Sequence, residues 1–70
     1  MCLMSDYAQL VDEAADALVS AWYCEDAGDG SGAEYKWSRR LIAQAAHLMG
    51  EGEAVVAREV RKLAGERYDG

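Results

Sequence analysis

Carboxylates set at helical spacing beside tyrosines are the residues of this chain whose pattern points most directly to chemistry. Gln9, Asp12, Glu13, Asp16, Ser20 and Tyr23 follow the helical repeat and fall together on one side of a predicted helix. Asp12 and Asp16 form a like-charge pair four residues apart, an arrangement that costs a few tenths of a kcal/mol in an isolated helix. Glu25, Asp26, Asp29 and Glu34 continue the acidic run, and Tyr23 and Tyr35 add aromatic area beside it. The chemistry this suits is non-covalent docking onto a Lys/Arg-rich surface of a larger protein. Tyrosine would supply contact area and the acids would steer the encounter. The competing expectation is a solvated face partly neutralised by Arg39, Arg40 or the third helix.

Covalent chemistry finds little support. His47 is the single histidine, and it follows Lys36, Arg40 and Ala43 around a polar helix face with no nucleophile beside it. Ser20, Ser31 and Ser38 have no nucleophile-elbow context. The segment from Asp26 to Glu34 has the composition of a calcium loop but not its spacing. With Gly30 at the glycine position, Ala27 and Lys36 fall where oxygen ligands are needed. The expectation is a non-enzymatic chain with no catalytic residue, cofactor, metal or small-molecule substrate.

Nucleic-acid binding has one argument. Gly50 between two helices, with Ala46 four residues earlier, fits a helix-turn-helix, in which Arg58, Arg61 and Lys62 would lie on the reading helix. Against this, Glu51 and Glu53 stand at that helix's N-terminal end, and the sequence pI of about 4.5 is the reverse of a basic footprint. Direct nucleic-acid binding is therefore the alternative reading, as a dimeric regulator.

The elements that must position these groups are all helical. Proline is absent, and the apolar residues recur every three or four positions. The first helix is expected from about Tyr7 to about Glu25, capped by Asp6, with Tyr7, Leu10, Val11, Ala14, Leu18, Ala21 and Trp22 as its apolar stripe. Residues 1–5 are expected as a loose tail and 26–31 as the interhelix loop. Ser31 and Glu34 form a capping box for the second helix, which carries Trp37, Leu41, Ile42, Ala45, Leu48 and Met49 and ends at Gly50. A third helix would bury Val56, Val60, Leu63 and Ala64 and extend toward Tyr68. The first two stripes match in reverse order around the loop. Trp22 falls opposite Trp37, Leu18 opposite Leu41, Ala14 opposite Ala45 and Val11 opposite Leu48. The predicted fold is all-α, one domain over residues 1–70: an antiparallel αα-hairpin plus a third helix.

Charge and size sharpen the picture. Residues 1–34 hold eight acids and no Lys or Arg, whereas residues 35–70 hold all seven bases against five acids, for a net charge of −6. Such asymmetry either neutralises itself when the halves dock or leaves an acidic surface for a basic partner. At this length, apolar burial only just offsets ordering entropy, so a second copy or a bound partner is the expected supplement. There is no signal-peptide pattern and no apolar run able to span a bilayer, so a cytoplasmic location is expected, without a membrane partner. Cys24 would lie about 27 Å along the first helix from Asp6, beyond the roughly 14 Å that Cys2 can reach back, so the thiols are expected unbridged. In size and charge the chain is similar to small phage-encoded inhibitors of host defence nucleases, the anti-CRISPR kind, a similarity that covers no residues. It implies competition for a nucleic-acid-binding surface by charge mimicry. A structural homodimer or assembly subunit is the third reading.

Overall fold

The first helix, α1 (Leu3–Ala27), begins earlier and ends later than its capping signals suggested. The computed structural model describes residues 3–28 and 32–68, and side chains within them from residue 6 onward. Leu3–Ser5 are helical rather than a loose tail, so Asp6 sits within the first turn instead of capping it. There its carboxylate still faces the positive end of the helix dipole. Asp26 and Ala27 also belong to α1 and not to the loop. The break comes at Gly28, whose φ of +83° suits glycine, and whose N–H donates to the Glu25 carbonyl at 3.1 Å. Ser31, half of the expected capping box, and Asp29 lie outside the described residues; Glu34 stands in the first turn of α2 (Gly32–Met49).

The turn into α3 (Glu53–Tyr68) is built as the sequence suggested. Gly50 adopts φ +68°, its N–H donates to the His47 carbonyl at 3.3 Å, and the Glu51 N–H donates to the Ala46 carbonyl at 3.0 Å. That pair of bonds is the Schellman closure of a helix C-terminus. The Gly52 carbonyl then accepts from Val55 and Val56 to open α3.

The three helices run up, down and up. Tyr7 near the start of α1 bonds Glu59 in the first half of α3, and Trp22 near the end of α1 meets Tyr68 at the end of α3, so these two are parallel. The core is one cluster to which every helix contributes: Val11, Ala14, Ala15 and Leu18 from α1, Leu41, Ala45 and Ala46 from α2, and Val56, Val60 and Ala64 from α3. Its largest fully buried side chains are Val56 and Val60. The α1 and α3 stripes are those expected from periodicity, with Ala15 added.

The place of Trp37 is the main correction. Ser38 is buried at 3% exposure, and its hydroxyl donates to the Ala14 carbonyl at 3.0 Å. Ser38 thus faces α1 in the seam, while Leu41 and Ala45 are buried as expected. Trp37 is 52% exposed, so the Trp22–Trp37 layer does not form. Trp22 instead packs edge-on against Tyr68, with ring centroids 5.3 Å apart. The physical reason is size. The helix faces in contact are lined by alanine and serine, which bury little area each and gain by close approach. A ring at position 37 would hold the helices apart, so Ser38 fills the seam and Trp37 lies at its edge. The buried hydroxyl costs little because the Ala14 carbonyl satisfies it.

Candidate interaction surface

The acidic residues expected on one face of α1 divide among three surroundings. Asp12 and Asp16 look toward α3, where Arg67 ion-pairs with both, bonding Asp16 at 2.6 Å and pairing closely with Asp12. The same guanidinium donates to the Asp12 carbonyl at 3.2 Å. The hydrogen bond from Arg67 to Asp12, with the charges of Asp12 and Asp16, holds the guanidinium more firmly protonated than an isolated arginine. The like-charge pair is thus answered within the chain by an arginine 51 residues from Asp16 and 55 from Asp12. Arg39 and Arg40 do not take this role. Both carboxylates remain largely in water, with side-chain exposures of 54% for Asp12 and 67% for Asp16.

The second group closes the far end of the bundle. Tyr68 meets Trp22 edge-on and lies 5.0 Å from Tyr23, centroid to centroid, and its hydroxyl donates to Asp26. The Tyr35 hydroxyl donates to Glu25 at 2.9 Å, an arrangement that raises the Tyr35 phenol through that bond, through desolvation and through the carboxylate's charge. A hydroxyl donor satisfies a carboxylate without cancelling its charge, so this end keeps its negative potential. α1 has no basic residue in its last turn, so Glu25 and Asp26 sit against the negative end of the helix dipole, at a typical cost of about 0.3–1 kcal/mol each. Tyr23 stands over this group at 54% exposure.

The third group faces away from α3. Glu13 lines a shallow groove between α1 and α2 together with Gln9, Gln44 and His47. Glu34 lines a neighbouring hollow with Ala17, Ser20, Ala33 and Trp37. Glu13 is therefore remote from the tyrosine-bearing end, whereas Glu34 lies at that end on the side away from α3. Asp29 lies outside the described residues. Ser38 and Tyr68 were missed as participants; Ser38 carries a signal in hindsight, because it follows Trp37 by one helical position and keeps the three-to-four spacing to Leu41 and Ala45.

Comparison with protein-family models, with curated proteins and with solved structures finds no match to this chain. The surface alone carries the functional argument. Among the described residues no group of three or more His, Cys, Asp or Glu is placed to hold a metal ion, and no helix is long and apolar enough to cross a membrane. Cys24 is half-buried on α1, while Cys2 lies outside the described residues.

At the opposite end, Tyr7 donates to Glu59 at 2.7 Å. Desolvation, the bond to Glu59 and the charges of Glu59 and Glu51 push its phenol up to about 12. A raised phenol stabilises the folded chain fully below the unfolded value, near 10. That contribution falls away as pH rises through about 12. Alkaline titration followed at 295 nm should therefore show a late-ionising tyrosine that Tyr7→Phe removes. An unchanged late step in that variant would refute the assignment.

Proposed function

We propose that this protein is a non-enzymatic interaction module that docks the acidic, tyrosine-bearing end of α1 onto a basic surface of a larger protein. The observation that carries the reading is Tyr23, more than half exposed and set against Tyr68, whose hydroxyl bonds Asp26. The chain spends stability to keep acids at the unfavourable end of α1 and leaves an aromatic ring in water beside them. Aromatic anchors framed by charge are the usual centre of a recognition patch. Asp12 and Asp16 extend the negative surface along α1 at reduced strength, since Arg67 offsets one of their two charges. Where the partner's basic surface normally holds nucleic acid, the module acts as a competitive inhibitor of the anti-defence type.

The test uses Tyr23→Ala with Glu25→Gln and Asp26→Asn. The amides can still accept the tyrosine hydrogen bonds, so far-UV circular dichroism should not change. Immobilised wild-type protein retains a basic protein from lysate, mass spectrometry identifies it, and the purified partner is then titrated against both forms. Affinity should fall about tenfold or more per lost charge, since 1.4 kcal/mol corresponds to a decade. Wild-type association should slow with added salt. Equal binding by the triple variant would remove this surface from consideration.

A second reading rests on the other flank. Arg39 and Arg61 line the groove between α2 and α3, an open space of about 620 Å³, and Arg58 and Lys62 are exposed nearby on α3. Retention of duplex DNA at physiological salt, lost when Arg58, Arg61 and Lys62 are neutralised, would favour this regulator reading over the acidic module. Glu53 on the same groove opposes it, since a carboxylate there repels phosphate.

A further inference from the structure

We infer that the flank of α1 and α2 turned away from α3 is the contact between two copies of this chain. The exposed tryptophan is the starting point. Trp37 is 52% exposed beside a hollow of about 310 Å³ lined by Ala17, Ser20, Ala33 and Glu34. A bulky ring thus stands on α2 while the neighbouring edge of α1 offers only small side chains at the same height. The groove that continues this flank, about 460 Å³, places Gln9 and Glu13 of α1 beside Gln44 and His47 of α2. Positions 33, 37, 40, 44 and 47 follow the helical repeat, so Arg40, which is exposed, shares the α2 edge with Trp37.

A two-fold axis parallel to these helices lays α2 of one copy against α1 of the other, level for level. Trp37 then enters the partner copy's small-residue hollow, and the partner copy's Trp37 does the same in return. Arg40 stands one turn from the level of the second copy's Glu13, a distance its long side chain spans, and the same cation-to-acid approach recurs on the other side of the axis. Such reciprocity is what an isologous contact requires. The four helices form a layer in which each neighbour is antiparallel, the arrangement of a four-helix bundle. Charge complementarity selects a second copy over an unrelated partner. Glu13 on the α1 edge and Arg40 on the α2 edge carry opposite charges, so the surface complements its own two-fold image. The face is small. Along the 18 residues of α2 it runs about 27 Å, and across two helices it is roughly 20 Å wide. About 500 Å² per copy lies at the weak end of specific interfaces, so dimerisation in the micromolar range or above is expected. The tyrosine-bearing ends of α1 stay outside the contact.

Sedimentation equilibrium of the full chain, from about 10 µM to about 1 mM, should show mass rising from monomer toward twice that value. Glu13→Arg and Arg40→Glu should each remain monomeric, because each homodimer would oppose like charges. Mixed in equal amounts, the two variants should form a heterodimer, in which each 13–40 contact again joins opposite charges. A purely intrachain role for these residues gives no such rescue. Both positions are exposed, and circular dichroism of each variant verifies the helices. A wild-type chain that stays monomeric to about 1 mM overturns the proposal and leaves the face to a different protein. A dimer that both variants retain, or a mixture that stays monomeric, equally overturns it by locating the contact elsewhere.

Discussion

Val60→Ala should cost roughly 2–3 kcal/mol, and the double change with Val56→Ala should leave the chain largely unfolded at 25 °C. Each substitution removes two carbons from a site with 0% exposure. The transfer loss is about 0.8 kcal/mol per carbon, and the unfilled space adds to it. Few other side chains can compensate. The neighbours in this cluster are largely alanines, Ala14, Ala15, Ala45, Ala46 and Ala64, which have no atoms to spare for closing a cavity. A chain of this size rarely holds more than about 3–5 kcal/mol in total. Urea denaturation followed at 222 nm reads the effect. A double variant that keeps a cooperative transition within about 1 kcal/mol of wild type would mean that the valines do not centre the core.

Tyr68→Ala should be the most damaging substitution outside that centre, at about 2–3 kcal/mol, with Tyr68→Phe costing under about 1 kcal/mol. The ring of Tyr68 touches Trp22 at 5.3 Å and Tyr23 at 5.0 Å, and each such aromatic contact contributes about 0.5–1.5 kcal/mol beyond simple burial. Phenylalanine retains both contacts and gives up only the bond to Asp26, a partly hydrated pair of modest net value. Chemical denaturation, with Trp22 emission as a second probe, separates the two variants. Equal losses for Ala and Phe would assign the stabilisation to the hydrogen bond instead of the rings.

Helix count, helix faces and the Gly50 turn were legible in the sequence because each rests on local physics. The α1 stripe of Val11, Ala14, Leu18 and Ala21 and the α3 stripe of Val56, Val60 and Ala64 follow periodicity alone, and both are buried. The place of Trp37 was not legible in this way. Matching large residues to large ones favoured Trp37 as a core ring. Close approach of small side chains favoured Ser38 beside Ala14, and the serine won because its hydroxyl found a carbonyl. The acidic surface was legible in composition but not in its division. Asp12 and Glu13 are adjacent in sequence, yet a helix turns about 100° between them, so one meets Arg67 and the other lines the α1/α2 groove. No local pattern links Asp12 or Asp16 to an arginine more than fifty residues on, and only the parallel return of α3 makes that pairing.

That parallel return also sets the order of events in time. The Ser38–Ala14 contact spans 24 residues and can close as soon as α2 is complete. The contacts from Tyr7 to Glu59 and from Asp12 to Arg67 span 52 and 55 residues, nearly the whole chain. During synthesis, at roughly 5–20 residues per second, the hairpin therefore precedes the bundle. The two central valines and the arginine arrive last. Until α3 docks, the chain is a hairpin without the two valines at its centre and with Asp12 and Asp16 unopposed. Helical docking of this kind then finishes within micro- to milliseconds. Docking of α3, rather than any slower search among conformations, is the step at which this protein acquires both its core and its final charge.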